Sequence, residues 1–241
     1  NPSLVGSEMC IRDSYKTGLV DGVTTNPTLI RKSGKDPLDV YRELVNLGLT
    51  DISMEVVGSV DKMYQEAMQL QAEFREVTTI KLPCTPDGLE VCKSLNDIGI
   101  RTNVTLIFSA AQAILAAKAG ATYVSPFIGR YDDNSISGLE LIRSITSIYQ
   151  VQDVKTQVLA ASLRDVYKVS RAFYNGAHIV TMPTGIFDKM YNHVLTDKGL
   201  DLFQKDYDAT MASLEAWHLL STPEKDVSIV LKLNKSWTCL S

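Results

Sequence analysis

Between about residues 18 and 207, short runs of β-branched and apolar residues alternate with longer stretches of apolar residues recurring every three or four positions. Seven β-type runs stand out: "GLVDGVTTNP", "DISMEVVG", "VTTIKLPC", "IRTNVTLIFS", "ATYVSPFIG", "KTQVLAAS" and "AHIVTMP". Between them, "DPLDVYRELVNLG", "SVDKMYQEAMQLQAEF" and "TPDGLEVCKSLNDIG" have the spacing of amphipathic helices. Ser59 and Asp61, Thr85 and Asp87, and Ser109 stand at predicted helix starts. The glycines of "NLGLTD", "DIGIRT", "KAGATY" and "YNGAHI" stand where helices should stop before the next strand.

Strand, helix, strand at spacings of roughly 20 to 30 residues predicts parallel βα units and an α/β fold. The expected architecture is a (βα)8 TIM barrel with its first strand absent or replaced, plus C-terminal helices. Such a barrel has eight strands, and the uncounted one should precede "YKTGLVDG". An open doubly wound sheet is the structural alternative, but no glycine-rich dinucleotide turn supports it.

The ends depart from the pattern. "NPSLVGSEMCIRDS" has neither helical nor strand periodicity, so residues 1–14 are expected to be an atypical, foreign segment. Residues 15–207 form the predicted barrel domain, and 208–241 a C-terminal helix and an atypical tail. "DVSIVLKL" in that tail has strand character, but filling the gap would need a long return of the chain.

Composition narrows the function classes. The 241 residues, 45% hydrophobic and 22% charged, suffice for one sizeable core. A net charge of −4 and no long basic run argue against nucleic acid or an anionic membrane surface as partner. Apolar runs fall well short of the roughly 18 residues of a membrane span, and no signal peptide opens the chain. Cys10, Cys84, Cys92 and Cys239 have no CxxC spacing, which predicts a reduced, cytoplasmic protein without structural zinc. His178, His193 and His218 lie too far apart in sequence to suggest a metal site.

In a parallel barrel, function belongs at the carboxyl ends of the strands. Those ends carry Thr25 and Asn26, then Glu55, Lys81, Asn103 and Thr105, Ser125 and Arg130, and Ser162 and Arg164. An inward Glu55 between Met54 and Val56 needs a partner. A desolvated Lys81 would have its charged form disfavoured, leaving more nucleophilic amine to add to a substrate ketone as a Schiff base. Two arginines and a serine on later strands suit a phosphate, which arginine grips in a bidentate fork.

"DGVTTNPTLI", "IKLP", "GIRTNVTLIFSAAQAILAAKAGATYVSPFIGRYDD", "VLAASLRDV", "GAHIVTMP" and "LTDKGL" resemble the small transaldolase family, which includes fructose-6-phosphate aldolases. The resemblance spans roughly Gly18 to Tyr207. It implies a βα barrel with a Schiff-base lysine on its fourth strand, neither metal nor cofactor, and transfer of a dihydroxyacetone unit from a ketose phosphate to an aldose phosphate. The pentose phosphate pathway is the usual setting.

On that pattern Lys81 matches the Schiff-base lysine, and Glu55 and Thr105 the pair that positions a catalytic water. Asn26 and Asn103 match contacts to the dihydroxyacetone unit, with Ser125 in the same pocket. Arg130, Ser162 and Arg164 match the phosphate site. Phe127 and Glu55 stand where the aldolase branch has a tyrosine and a glutamine, which favours transaldolase over reversible aldol cleavage. The family's first-strand aspartate has no clear counterpart. Asp13 and Asp21 are the substitutes in sequence, and a catalytically impaired sugar-phosphate binder is the other alternative. The family also implies a ring-shaped homo-oligomer gripped through the C-terminal helix, where Trp217 sits.

Overall fold

The computed structural model describes the backbone of residues 5–217 and the side chains of residues 11–214. Helix α1 (Val5–Lys16) precedes β1 (Val23–Thr24), α2 (Pro27–Ser33), α3 (Pro37–Asn46) and β2 (Ile52–Glu55). Then come α4 (Val60–Phe74), β3 (Thr78–Pro83), α5 (Pro86–Asp97), β4 (Thr102–Ile107), α6 (Ala110–Lys118) and β5 (Tyr123–Pro126). After these follow α7 (Ile128–Asp133), α8 (Gly138–Val151), β6 (Gln157–Ala160), α9 (Val166–Tyr174), β7 (Ile179–Val180), α10 (Thr184–Lys189) and α11 (Val194–Trp217).

Each of the seven β-type runs holds one strand, and the strands pair in parallel in chain order. The sheet curls until its edges approach. Among the described residues no backbone ladder joins β1 to β7, but the hydroxyls of Thr24 and Thr181 lie 2.9 Å apart and share a hydrogen bond. The helix starts follow the sequence signals: Ser59, Thr85 and Ser109 each accept a hydrogen bond from a first-turn N–H. Asp61 and Asp87 instead lie in the first turns of α4 and α5, beside the positive end of the helix dipole.

The chain differs from expectation near its start, where α1 occupies most of residues 1–14. A helix this short buries one narrow stripe, leaving little periodicity to read. Ile11 and Tyr15, four apart, pack against the core, and the Tyr15 hydroxyl donates to the Gly48 carbonyl at 2.7 Å. One compact unit runs to Tyr191 and a second begins at Asn192. Helix α11 continues unbroken through positions 207 and 208. "DVSIVLKL", His218, Cys239 and the side chains of Cys10 and Trp217 lie outside the described residues.

Period-two alternation divides the strands' side chains between two surfaces. Ile52, Met54, Ile80, Leu82, Val104 and Val124 face the helices and are fully buried, forming the core with Met63, Val91, Leu95, Ile142 and Ile145. The opposite, concave surface is polar, whereas branched apolar residues dominate the usual barrel interior. Its groups form three hydrogen-bonded rungs. Asp51 accepts from Thr79 at 2.8 Å, Tyr123 at 2.9 Å and Arg101 at 3.0 Å. One step up, Asn103 bridges Ser53 and Ser125. At the carboxyl ends, Glu55 faces Lys81.

The end of β3 is pinned by a close approach. A Cβ on Gly88 would stand 2.1 Å from the Pro83 carbonyl oxygen, so only glycine lets α5 dock there. Gly88→Ala should lower stability by about 1–3 kcal/mol through overpacking, measured as the shift of the denaturant midpoint.

Candidate active site

Lys81 is two residues from the end of β3 and is buried, its side chain 5% exposed. Parallel pairing sets it directly between Glu55 on β2 and Asn103 on β4. Its Nζ lies 2.8 Å from Glu55 Oε2 and donates to the Thr25 carbonyl oxygen at 2.9 Å. Glu55, whose own side chain is 10% exposed, thus has the partner its apolar flanks demand. Thr25 is fixed by its hydroxyl, which donates to the Ser53 carbonyl oxygen at 2.8 Å, so the carbonyl that receives the lysine is itself held.

Beside the amine lies the Asn103 rung. Asn103 is fully buried, donates through Nδ2 to Ser53 Oγ at 3.2 Å and accepts from the Ser125 hydroxyl at 2.7 Å. Thr105 follows on the same strand, where the register with β5 slips between Val104 and Ile107 and Leu106 takes a φ of 59°. A bulge of this kind re-aims neighbouring side chains. Thr105 is 1% exposed, and among the described residues its hydroxyl is the buried side-chain polar atom without a hydrogen-bond partner. An unsatisfied buried hydroxyl costs about 1–3 kcal/mol.

Asn26 follows β1 and caps α2, its Oδ1 accepting from Leu29 N–H at 2.9 Å. Phe127 follows β5 and lies edge-on to Phe108; the Arg130 guanidinium sits over its ring, 5.3 Å from the centroid. Ser162 follows β6 in a left-handed conformation, φ 61°. Two residues on, Arg164 makes a bidentate ion pair with Asp133 at the end of α7. That guanidinium holds the Asp133 carboxyl below the ordinary carboxylate range, with Lys168 and Arg130 adding to the effect.

The predicted residues therefore form a lysine–glutamate pair, an asparagine–serine rung and an arginine cluster on α7 and the β6–α9 loop. Asp13 lies outside them, exposed on α1 and 3.5 Å from Lys16, and Asp21 is also exposed. Cys84 is half-buried just beyond β3, and burial pushes its thiol up. His178 accepts from Val158 N–H and His193 from Leu195 N–H, each through Nδ1. No group of metal ligands occurs among the described residues, nor any helix long and apolar enough to cross a membrane. Ser53 and Asp133 were not singled out from sequence. Ser53 shares the two-residue spacing of Glu55, whereas nothing in "RYDD" tells which cation its second aspartate meets.

A family model described as transaldolase/fructose-6-phosphate aldolase matches residues 7–225, extending the resemblance at both ends. A protein of Dinoroseobacter shibae named probable transaldolase is 51% identical over 194 residues, 80% of this chain and 89% of its own length. Proteins of the same name from Caulobacter vibrioides and Paracoccus denitrificans are 48% and 50% identical. They cover 85% and 83% of this chain, and 94% and 92% of their own.

Replacing Thr105 by valine keeps the shape and removes the orphaned hydroxyl. Thr105→Val should leave stability unchanged or raise it by up to about 1–3 kcal/mol. Chemical denaturation checks this, and a substantial loss of stability would show that the hydroxyl is satisfied in the folded protein.

Proposed function

The chain belongs to the transaldolase/fructose-6-phosphate aldolase family, and on that premise we propose that it transfers a dihydroxyacetone unit between sugar phosphates through a Schiff base on Lys81. The supporting observation is a buried amine at a strand's carboxyl end, held between a carboxylate and a fixed carbonyl. Glu55, at 2.8 Å, is the base placed to take a proton from the Lys81 ammonium. The amine then adds to the substrate ketone, and loss of water from the carbinolamine gives the iminium.

Cleavage of the C3–C4 bond sends its electron pair into the iminium while the C4 hydroxyl gives its proton to the water held by Glu55, leaving an enamine on Lys81 and releasing an aldehyde. Attack of the enamine on an aldose phosphate re-forms the bond, and water then frees the new ketose. Glu55 and the unpartnered Thr105 hydroxyl are the groups to orient that water. Asn26, Asn103 and Ser125 are proposed to hold the dihydroxyacetone hydroxyls, with Phe127 as an apolar wall. Arg130, Ser162 and Arg164 are proposed to take the phosphate. Phe127 has no hydroxyl to order water, which favours transfer over reversible aldol cleavage.

A second reading is favoured by the exposed positions of Asp13 and Asp21. On this reading neither replaces the family's aspartate, so the chain would bind sugar phosphate and form the imine without completing transfer. The TIM barrel with its first strand absent or replaced belongs to the first reading, as do a cytoplasmic setting and a ring of copies. Helix α11 supports the last, with Leu195, Leu202, Phe203 and Met211 exposed.

With fructose 6-phosphate and borohydride, the chain should gain one reduced adduct at Lys81, read by peptide mass. Lys81→Ala should abolish it. An undiminished adduct in that variant would sink the assignment. Release of glyceraldehyde 3-phosphate in a single turnover supports the active enzyme over the impaired binder.

A further inference from the structure

Asp133 has no role in the chemistry above, yet its pair with Arg164 governs which part of the guanidinium is free. Asp133 Oδ1 and Oδ2 accept from NH1 and NH2 respectively, which occupies the end-on fork of Arg164. The Nε edge faces elsewhere. A Cβ built on Gly129 would lie 2.8 Å from Arg164 Nε, 2.8 Å from Ser162 Oγ and 2.4 Å from the Ser162 carbonyl oxygen. Nε and the Ser162 hydroxyl therefore stand together against the same bare face of Gly129. Both can donate hydrogen bonds, and Asp133 fixes the geometry of the guanidinium.

We infer that Asp133 is a positioning residue that sets specificity for phosphorylated substrates, by gripping the end-on fork of Arg164 and committing its Nε edge, beside Ser162 Oγ, to the phosphate. The inference rests on the phosphate site proposed above. Arg164 is about half exposed, and an unheld side chain of this length samples many rotamers, whereas a clamped one keeps its donors aimed. The carboxylate also repels an incoming phosphate, but Arg130 and Lys168 face it as well and offset its charge. Lys168 is in turn held by carboxylates of its own, 2.6 Å from Asp132 and 3.6 Å from Asp165. Asp133→Ala decides between the two: loss of positioning weakens phosphate binding, whereas loss of repulsion strengthens it.

The test titrates inorganic phosphate against the whole chain by 31P NMR. It also compares half-saturation of borohydride trapping for fructose 6-phosphate and for unphosphorylated fructose. Asp133→Ala and Asp133→Asn should each weaken phosphate binding about five- to tenfold and narrow the preference for the phosphorylated ketose by a similar factor. Asp133→Glu, which keeps the carboxylate, should restore most of both, an outcome that a merely structural role does not predict. Tighter or unchanged phosphate binding in Asp133→Ala would overturn the inference. Arg164→Ala separates the two ideas. If it leaves phosphate binding intact, the phosphate site itself is wrong; if it weakens binding while Asp133→Ala does not, only the role of Asp133 falls.

Discussion

The site is organised around one interaction, the contact between the Lys81 ammonium and the Glu55 carboxylate inside a concave, largely buried surface. Two charges withdrawn from water are expensive to maintain, and removing one partner of such a pair typically costs about 3–5 kcal/mol. The fold meets that demand by making Lys81 and Glu55 register partners on adjacent parallel strands, and by adding the Thr25 carbonyl as a further acceptor. The pairing of β2 with β3 is thus both a structural ladder and the device that aims the amine. Gly88, which lets α5 seat against the end of β3, serves the same placement.

Beneath this pair, the polar rungs explain why the concave surface tolerates so many hydrogen-bonding groups. Asp51 gathers Thr79, Tyr123 and Arg101, and Asn103 is held from both sides by serines. A buried polar network rigidifies a site when its members are satisfied and destabilises it when they are not. Among the described residues Thr105, beside a bulge and unpartnered, is the exception.

Much of this was legible in the sequence because local signals and tertiary demands agree. The strand runs, the capping residues Ser59, Thr85 and Ser109, and the polar groups at strand ends all follow from spacing and residue type. Glu55 was conspicuous because a carboxylate flanked by Met54 and Val56 needs a buried partner. The rest was illegible for physical reasons. In α1, Ile11 and Tyr15 make a single helical stripe, too short to register as a period. The length of α11 was hidden because Gly199 interrupts a pattern that the helix nevertheless continues. Asp133 and Lys168 find their partners across elements, and such pairings are not encoded in the spacing of either segment.

The meeting of Thr24 with Thr181 carries a consequence of its own. Everywhere else the sheet is held by ladders of several backbone bonds that form and break together, but here two-residue strands face each other across a single pair of hydroxyls. Local opening follows the path of least cooperative loss. This seam, close to which α1 packs against α10, is where opening the curled sheet would break the fewest strand-to-strand bonds. Lys81 lies among the rungs on β3, away from that seam, whereas Asn26, which follows β1, stands beside it.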